Sequence, residues 1–221
     1  MFTEAFDQDQ LQAEYVRLGH GHGWTFMMTP EGTLRDAQVA FVGLNPGGGG
    51  PNDTHEYGGS WDSPKGNAYF VEKWGPAGNE TPIQQQVQAW HSLLGLGADD
   101  SFCAQFVPFR SPNWASLGRK EETLDFAMRL WTWVLTQSPA KLVITMGKPP
   151  AQHLSRLLGA RQVARLQTGW DPQTIDVWEG ASGYRIVAMP HPSRYTLFNR
   201  RGSGSDIAKA SLRAAAGLPS P

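Results

Sequence analysis

Four short apolar runs punctuate the chain, and each is followed by glycine, proline or polar residues. The runs are AQVAFVGL (37–44), SFCAQFVPF (101–109), KLVITM (141–146) and YRIVAM (184–189). Each is nearly continuous rather than alternating and is rich in β-branched or aromatic residues, as in strands buried on both faces of a parallel sheet. The pattern predicts four core strands.

Helical periodicity lies between these runs. In 121–137, apolar residues recur at three- and four-residue spacing and form one face of a helix: Leu124, Met128, Trp131 and Leu135. Further helices are predicted over 82–94, 150–167 and 205–216. Alternating strands and helices predict an α/β fold of three layers, α/β/α, around a central, mainly parallel four-stranded sheet. Residues 46–80, rich in Gly, Pro, Trp and Asn, are predicted to form a long functional loop.

Composition favours one domain over residues 1–221. The chain of 221 residues is 40% hydrophobic, enough for a sizeable core. No apolar run approaches the ~20 residues that span a bilayer, and the start, MFTEAFDQDQ, lacks the features of a signal peptide. The single cysteine, Cys103, excludes an internal disulfide and a cysteine-held iron–sulfur cluster. We therefore expect a cytoplasmic monomer with no contact to a membrane.

Charge is unevenly distributed along the chain. Residues 1–100 carry four Lys and Arg against thirteen Asp and Glu, whereas residues 101–221 carry fifteen against seven. The net charge of −1 does not by itself indicate a nucleic-acid binder. The asymmetry indicates either one anion-facing side or an ordinary solvated surface.

Polar residues, glycines and prolines gather after every predicted strand. The first strand runs into GLNPG (43–47), the second into QFVPFRSP (105–112), the third into GKP (147–149) and the fourth into PHPSR (190–194). In open parallel sheets, ligands bind beyond the carboxyl ends of the strands. The sequence therefore predicts a ligand site built from these four segments.

The glycine run 47–50 has two interpretations. It lacks the spacing of a phosphate-binding P-loop, and no GxGxxG sequence leads into a helix. The run is either a flexible turn or a backbone surface on which a ring can lie. Asn45 and Pro46, which precede it, favour the second interpretation.

GLNPG (43–47) and HPS (191–193) resemble the two signature motifs of the uracil-DNA glycosylase superfamily. The likeness is closest to its mismatch-specific and single-strand-selective monofunctional branches. AQFVPFRSP (104–112) is similar to the segment that ends with the base-reading strand, and LVITMGK (142–148) to the strand that follows. The resemblance covers about residues 37–213 and implies a uracil-DNA glycosylase-like fold, DNA as partner, and chemistry without a metal or other cofactor.

The resemblance implies that Asn45 and His191 are catalytic. Cleavage of an N-glycosidic bond passes through an oxocarbenium-like sugar while the departing base takes up negative charge. Asn45 can hold a water through its amide oxygen but cannot deprotonate it, and a neutral His191 can donate to a base carbonyl. Without the resemblance, the asparagine reads as a turn former and the histidine as a structural residue.

Base binding is predicted for the segments that follow the first two strands. Gln105 occupies the place of the superfamily's pyrimidine-reading asparagine, one methylene longer, so the bound ring must shift. The glycine run also removes side chains that would block substituents on C5, which together favours a larger or altered pyrimidine. The base-binding set is completed by loop residues and by candidates for stacking on the base: Gly43, Leu44, Pro46, Gly47, Tyr57, Trp61 and Phe106.

Some members of the superfamily remove glucosylated hydroxymethylcytosine from phage DNA. The segment GSWDSPKGNAYF (59–70) offers a sugar pocket of the same kind, with Trp61 to stack and Asp62 and Asn67 to hydrogen-bond. A bulky 5-substituted cytosine in DNA is therefore one candidate substrate within the expected class of modified pyrimidines.

DNA binding is predicted mainly for the basic stretch after HPS. Residues 185–213 hold six basic groups against one acid, and Arg and Ser can bind phosphates while an apolar wedge fills the gap left by the base. An ordinary basic loop before the last helix is the alternative. The predicted set is Lys148, Ser193, Arg194, Tyr195, Leu197, Arg200 and Arg201.

Other chemistries fit the sequence less well. HGHGW (20–24) has metal-like spacing but no third ligand cluster, and HPS separates Ser193 from His191 rather than forming a triad. Lys148 is not placed as a lyase nucleophile. We expect a monofunctional DNA glycosylase for a modified pyrimidine. The alternatives are a uracil or mismatch glycosylase of repair, a silent DNA-binding module and a nucleotide hydrolase.

Overall fold

The computed structural model describes residues 4–51, 53, 55–198 and 203–219. Its strands and helices alternate along much of the chain. The strands are β1 (Trp24–Thr25), β2 (Val39–Gly43), β3 (Gly59–Ser60), β4 (Ser101–Gln105), β5 (Leu142–Met146), β6 (Arg161–Gln167), β7 (Thr174–Glu179) and β8 (Arg185–Met189). The α-helices are α1 (Gln8–Arg17), α2 (Thr33–Asp36), α3 (Ala68–Val71), α4 (Pro82–Leu94), α5 (Lys120–Gln137), α6 (Lys148–Leu157) and α7 (Ser203–Ala215).

The central sheet has the order β4-β2-β5-β8-β7-β6. The four predicted strands are its parallel part, because β2 pairs in parallel with both β4 and β5, and β5 pairs in parallel with β8. Two strands extend the sheet beyond β8 by antiparallel pairing. The predicted four-stranded sheet is therefore corrected to six strands, of which β7 runs antiparallel to the other five.

The predicted helix over 150–167 is wrong in its second half. Helix α6 ends at Leu157, and Gly159 then takes a left-handed φ of +56°, a conformation that favours glycine and stops the helix. The chain continues as β6, an edge strand whose residues are mostly exposed. Exposure explains why β6 lacks the continuous apolar run that revealed the inner strands.

Both faces of the sheet are covered by helices, which confirms the predicted α/β/α layers. Successive strand residues point to opposite faces. In β2, Ala40 and Val42 belong to one buried cluster and Phe41 to the other. Helices α1, α2, α5 and α6 contribute to the first cluster, and α3, α4 and α7 to the second.

The predicted long loop 46–80 carries short elements. Its strand β3 pairs in parallel with β1, and its helix α3 begins after Asn67, whose side chain accepts a hydrogen bond from the Tyr69 N–H at 3.1 Å. The loop is therefore tied to the rest of the protein through β3, which pairs with β1, and through α3, whose Tyr69 lies in the second core cluster.

The register of the parallel strands brings their carboxyl ends to one edge. Gly43 lies opposite Gln105 at the ends of β2 and β4, and Met146 lies opposite Met189 at the ends of β5 and β8. The segments that follow these residues meet there.

Candidate active site

A cleft of about 1330 Å³ opens at this edge of the sheet, and both Asn45 and His191 line it. The loops after β2, β4 and β8 and the segment 55–74 form its walls. The cleft also brings together many of the other predicted residues: Gly43, Leu44, Pro46, Gly47, Tyr57, Gln105, Ser193 and Arg194.

The side-chain amide of Asn45 is held in one orientation. Its Nδ2 group donates to the Pro46 carbonyl at 3.1 Å and to Ser111 Oγ at 2.9 Å. Both N–H groups are thus used, and Oδ1 makes no hydrogen bond within the described part of the chain. The amide oxygen remains an acceptor in the cleft.

The ring of His191 has a defined tautomer. Nδ1 lies 3.3 Å from the backbone N of Ser193 and 2.8 Å from Ser193 Oγ, so the expectation that HPS separates these two side chains is wrong. A backbone N–H can only donate, so Nδ1 accepts and the proton of the neutral ring sits on Nε2. Burial of the ring, and secondarily the positive charge of Arg194, lowers the pKa of His191 below its usual value of 6.5. The site therefore offers a neutral imidazole with an Nε2–H donor.

Gly147, at the end of β5, backs the His191 ring. Its φ is +109°, and a Cβ built on it would lie 3.6 Å from His191 Cδ2. The loop after β5 thus supports the histidine delivered by β8.

Gln105 fills the space that Gly43 leaves open. A Cβ on Gly43 would lie 2.2 Å from Gln105 Oε1, far inside contact distance. The Gln105 side chain is buried, with 7% of its surface exposed, and it lines the cleft beside Gly43.

Tyr69 is a cleft residue that sequence reasoning missed. It is buried, lines the cleft and lies edge-on to Trp74, with ring centroids 5.1 Å apart. Burial raises the pKa of the Tyr69 hydroxyl, which keeps it protonated. Tyr69 lies in the segment 59–70, and nothing in the sequence distinguished it from the other aromatic residues of that segment.

The glycine run packs closely against two aromatic rings. Gly48 has a φ of +104°, and a Cβ there would lie 2.9 Å from the Tyr57 ring. Gly49 has a φ of +73°, and a Cβ there would lie 2.5 Å from the His22 ring. The space at these two glycines is therefore occupied by rings of the protein rather than open to a C5 substituent. Gly47 alone of these three has nothing within 4 Å of an added Cβ.

Arg110 joins the glycine run to Tyr57 and was not predicted. Its guanidinium lies 3.8 Å from the centroid of the Tyr57 ring, and it donates to the Gly47 carbonyl and to Thr25 Oγ1. The Tyr57 hydroxyl donates to Asp53 Oδ2 at 3.1 Å. The cation therefore covers one face of the Tyr57 ring, and the His55 ring packs against Tyr57 as well, with ring centroids 4.4 Å apart.

Two predicted stacking residues are core residues. Trp61 is 8% exposed and packs against Phe26 and Trp133, with centroids 5.1 and 6.1 Å away. Phe106 is fully buried and stacks on His153 at 5.0 Å. Neither lines the cleft, because the alternation along their segments turns both side chains into the first core cluster.

The predicted DNA-binding set is also corrected. Lys148 pairs with the buried carboxylate of Asp176 at 3.0 Å and donates to Thr174 Oγ1 at 3.2 Å. Leu197 is 3% exposed and lies in the second core cluster, and the partly buried Tyr195 packs against that cluster. Arg200 and Arg201 lie outside the described residues.

Residues of the segment 62–74 line the cleft, but not all the side chains predicted to contact a sugar are among them. Asn67, predicted to contact a sugar, is fully buried and caps α3. Asp62 lines the cleft and accepts from the Glu31 N–H at 3.0 Å. Trp74, 37% exposed, also lines the cleft, and its Nε1 donates to Glu72 Oε2 at 2.5 Å.

The described residues contain no group of three or more His, Cys, Asp or Glu side chains that could hold a metal ion. No helix in the described ranges is long and apolar enough to cross a membrane.

Comparison with known families agrees with this geometry. The model of the uracil DNA glycosylase superfamily matches residues 29–213. The match covers most of the chain, so the protein belongs to the uracil-DNA glycosylase superfamily. No curated protein matches the chain. The family match confirms the resemblance carried by GLNPG and HPS and the glycosylase-like α/β fold.

Proposed function

We propose that this protein is a monofunctional DNA glycosylase that hydrolyses the bond between deoxyribose and a flipped, modified pyrimidine. The observation that carries the proposal is the cleft shared by the Asn45 amide oxygen and the neutral His191 ring. A base inside a duplex cannot reach such a cleft, so the target nucleotide must be extruded or already single-stranded. The DNA-acting superfamily to which the chain belongs supports DNA as the substrate.

Asn45 acts on the attacking water. Its Oδ1 accepts a hydrogen bond from the water and turns the water oxygen toward C1′ of the sugar. The oxygen bonds to C1′ as the bond from C1′ to the base nitrogen breaks, and the electron pair leaves on the base. One water proton passes to solvent and the base takes up a proton from solvent, so the products are a free base and an abasic site.

His191 acts on the departing base. Its Nε2–H donates to the base carbonyl oxygen on which negative charge develops, and the low pKa keeps the ring neutral near pH 7. One such donor typically contributes about 3 kcal/mol to transition-state stabilisation. Because an amide cannot remove a proton, stabilisation of the leaving group supplies most of the rate.

The size of the cleft favours a bulky base. Its 1330 Å³ exceeds the ~300–1,000 Å³ of ordinary small-molecule pockets. Asp62, Glu72 and the partly exposed Trp74 line the same cleft as Gln105. Stacking on Trp74 and hydrogen bonds to the two carboxylates suit a carbohydrate, so the proposed substrate is a cytosine with a glycosylated 5-hydroxymethyl group, as in phage DNA.

Contacts with the DNA backbone are assigned to Ser193 and Arg194, which line the cleft beside His191. Lys148 is engaged with Asp176, away from the cleft, which supports hydrolysis by water rather than attack by a lysine amine.

The test is a panel of DNAs carrying uracil, thymine mismatches, hydroxymethylcytosine and glucosylated hydroxymethylcytosine, with mass spectrometry of the released bases. Release of the glucosylated base is expected to exceed release of uracil. Uracil or mismatched thymine as the only released base would assign the protein to ordinary repair. DNA binding with no released base would indicate a module that binds modified bases without cleaving them. Release of bases only from free nucleotides would indicate a nucleotide hydrolase.

A further inference from the structure

Ser111 lies beside Asn45, and both residues line the cleft. It is buried, with 3% of its surface exposed, and it comes from the segment after β4, whereas Asn45 follows β2. Ser111 Oγ lies 2.9 Å from Asn45 Nδ2. The two segments are also joined by the Ser111 N–H, which donates to the Pro46 carbonyl at 3.2 Å.

The hydrogen bonds around Ser111 run in one direction. The Ser111 hydroxyl donates its proton to the Asn113 carbonyl at 2.9 Å. Its oxygen is therefore left to accept, and the group that it accepts from is Asn45 Nδ2. A flipped amide would place Asn45 Oδ1 against the Pro46 carbonyl and against an oxygen with no free proton. That arrangement puts acceptor against acceptor, and it disfavours the flipped amide.

We infer that Ser111 is a positioning residue that fixes the Asn45 amide with its oxygen toward the cleft, and thereby sets the water for attack on C1′. The inference rests on the proposed glycosylase function. It assigns to Ser111 a role that is exerted through the Asn45 amide.

A double-mutant cycle in single-turnover base release tests the role. Ser111→Ala removes the acceptor and frees one N–H of the Asn45 amide, so we expect release to slow about tenfold with unchanged affinity for DNA. In an Asn45→Ala background, the same substitution is expected to change the rate less than about twofold, because it acts through the amide. Ser111→Thr, which keeps the hydroxyl, is expected to restore much of the rate.

Ser116→Ala is the matched control. Ser116 Oγ donates to the same Asn113 carbonyl at 2.9 Å but makes no hydrogen bond to Asn45. Its loss is expected to leave the rate unchanged. Equal slowing by Ser111→Ala in both backgrounds indicates a general structural role and overturns the inference, as does an unchanged rate in the wild-type background.

A readout without catalysis separates this inference from the proposed function. In NMR spectra, the Asn45 side-chain N–H protons are expected to exchange slowly with solvent in the wild type and in Ser116→Ala, and faster in Ser111→Ala. If no DNA yields a free base, the proposed function fails while this signal still decides whether Ser111 holds the amide. Equal exchange in all three proteins overturns the inference.

Discussion

Gln105 lies directly over Gly43, so that a Cβ at position 43 would come within 2.2 Å of the Gln105 amide oxygen. Strand pairing fixes the relationship, because the two residues are opposite each other at the ends of β2 and β4. The long side chain of Gln105 and the absence of a side chain at Gly43 thus depend on each other. Glycine at position 43 makes room for Gln105, the residue that is proposed to read the base.

Gly43→Ala is expected to displace the Gln105 amide rather than unfold the protein, because the clashing atom is the far end of a flexible side chain. We expect kcat/KM for the preferred base to fall about tenfold or more, and the free energy of unfolding to change by less than about 1 kcal/mol. Gly21→Ala, outside the cleft lining and with nothing within 4 Å of the added Cβ, is the control and is expected to be near neutral. Equal losses in the two variants would contradict this relationship.

The pH dependence of base release follows from the neutral state of His191. Burial, and secondarily Arg194, places its folded-state pKa below 6.5. The ring is therefore mostly neutral at pH 6.5, and protonation at lower pH puts a proton on Nδ1, which must accept from Ser193. We expect the rate at saturating enzyme to decline as pH falls, with the midpoint of the decline below pH 6.5.

Arg194→Gln tests the same assignment. Without the neighbouring positive charge, the pKa of His191 rises toward 6.5, so the decline in rate is expected to begin at a higher pH than in the wild type. Saturating enzyme keeps any loss of DNA affinity out of the measurement. A wild-type decline centred above 6.5, or no movement in the variant, contradicts a buried neutral imidazole.

Substitutions of Trp61 and Trp74 are expected to have different effects, because Trp61 lies in the core and Trp74 lines the cleft. Trp61→Ala is expected to reduce the free energy of unfolding by about 3–5 kcal/mol, because the ring packs in the core. Trp74→Ala removes a partly exposed ring and is expected to cost less than about 1 kcal/mol, while it weakens binding of a glucosylated base more than binding of uracil. Denaturant unfolding measures the change in stability, and competition binding measures the change in base selectivity. Unchanged selectivity in the Trp74 variant would contradict the proposal that Trp74 contacts the sugar of a glucosylated base.

The strands and helices were predictable wherever burial produces a recognisable pattern of apolar residues in the sequence. The inner strands are buried on both faces, so their apolar runs are continuous, and α4 over Pro82–Leu94 was predicted with the observed bounds. The exposed strand β6 carries no such run and was predicted as part of a helix. Its pairing with β7 depends on long-range contacts that local periodicity does not report.

The candidate site was predictable in its backbone and less so in its aromatic and supporting side chains. Asn45 and His191 follow strand ends whose place in a parallel sheet is fixed, so their shared edge could be inferred. Trp61 and Phe106 were assigned to the cleft because an aromatic side chain suits either a core or a stacking site. Ser111 was missed because its role depends on the direction of hydrogen bonds between two segments.

Single-turnover base release by the wild type, Asn45→Ala and His191→Ala, with DNA affinity measured in parallel, tests the central claim most directly. We expect each substitution to slow release at least about a hundredfold while DNA affinity changes less than about threefold. Rates that match the wild type, or losses that follow DNA affinity alone, would show that these two residues do not act together on a base held in the cleft.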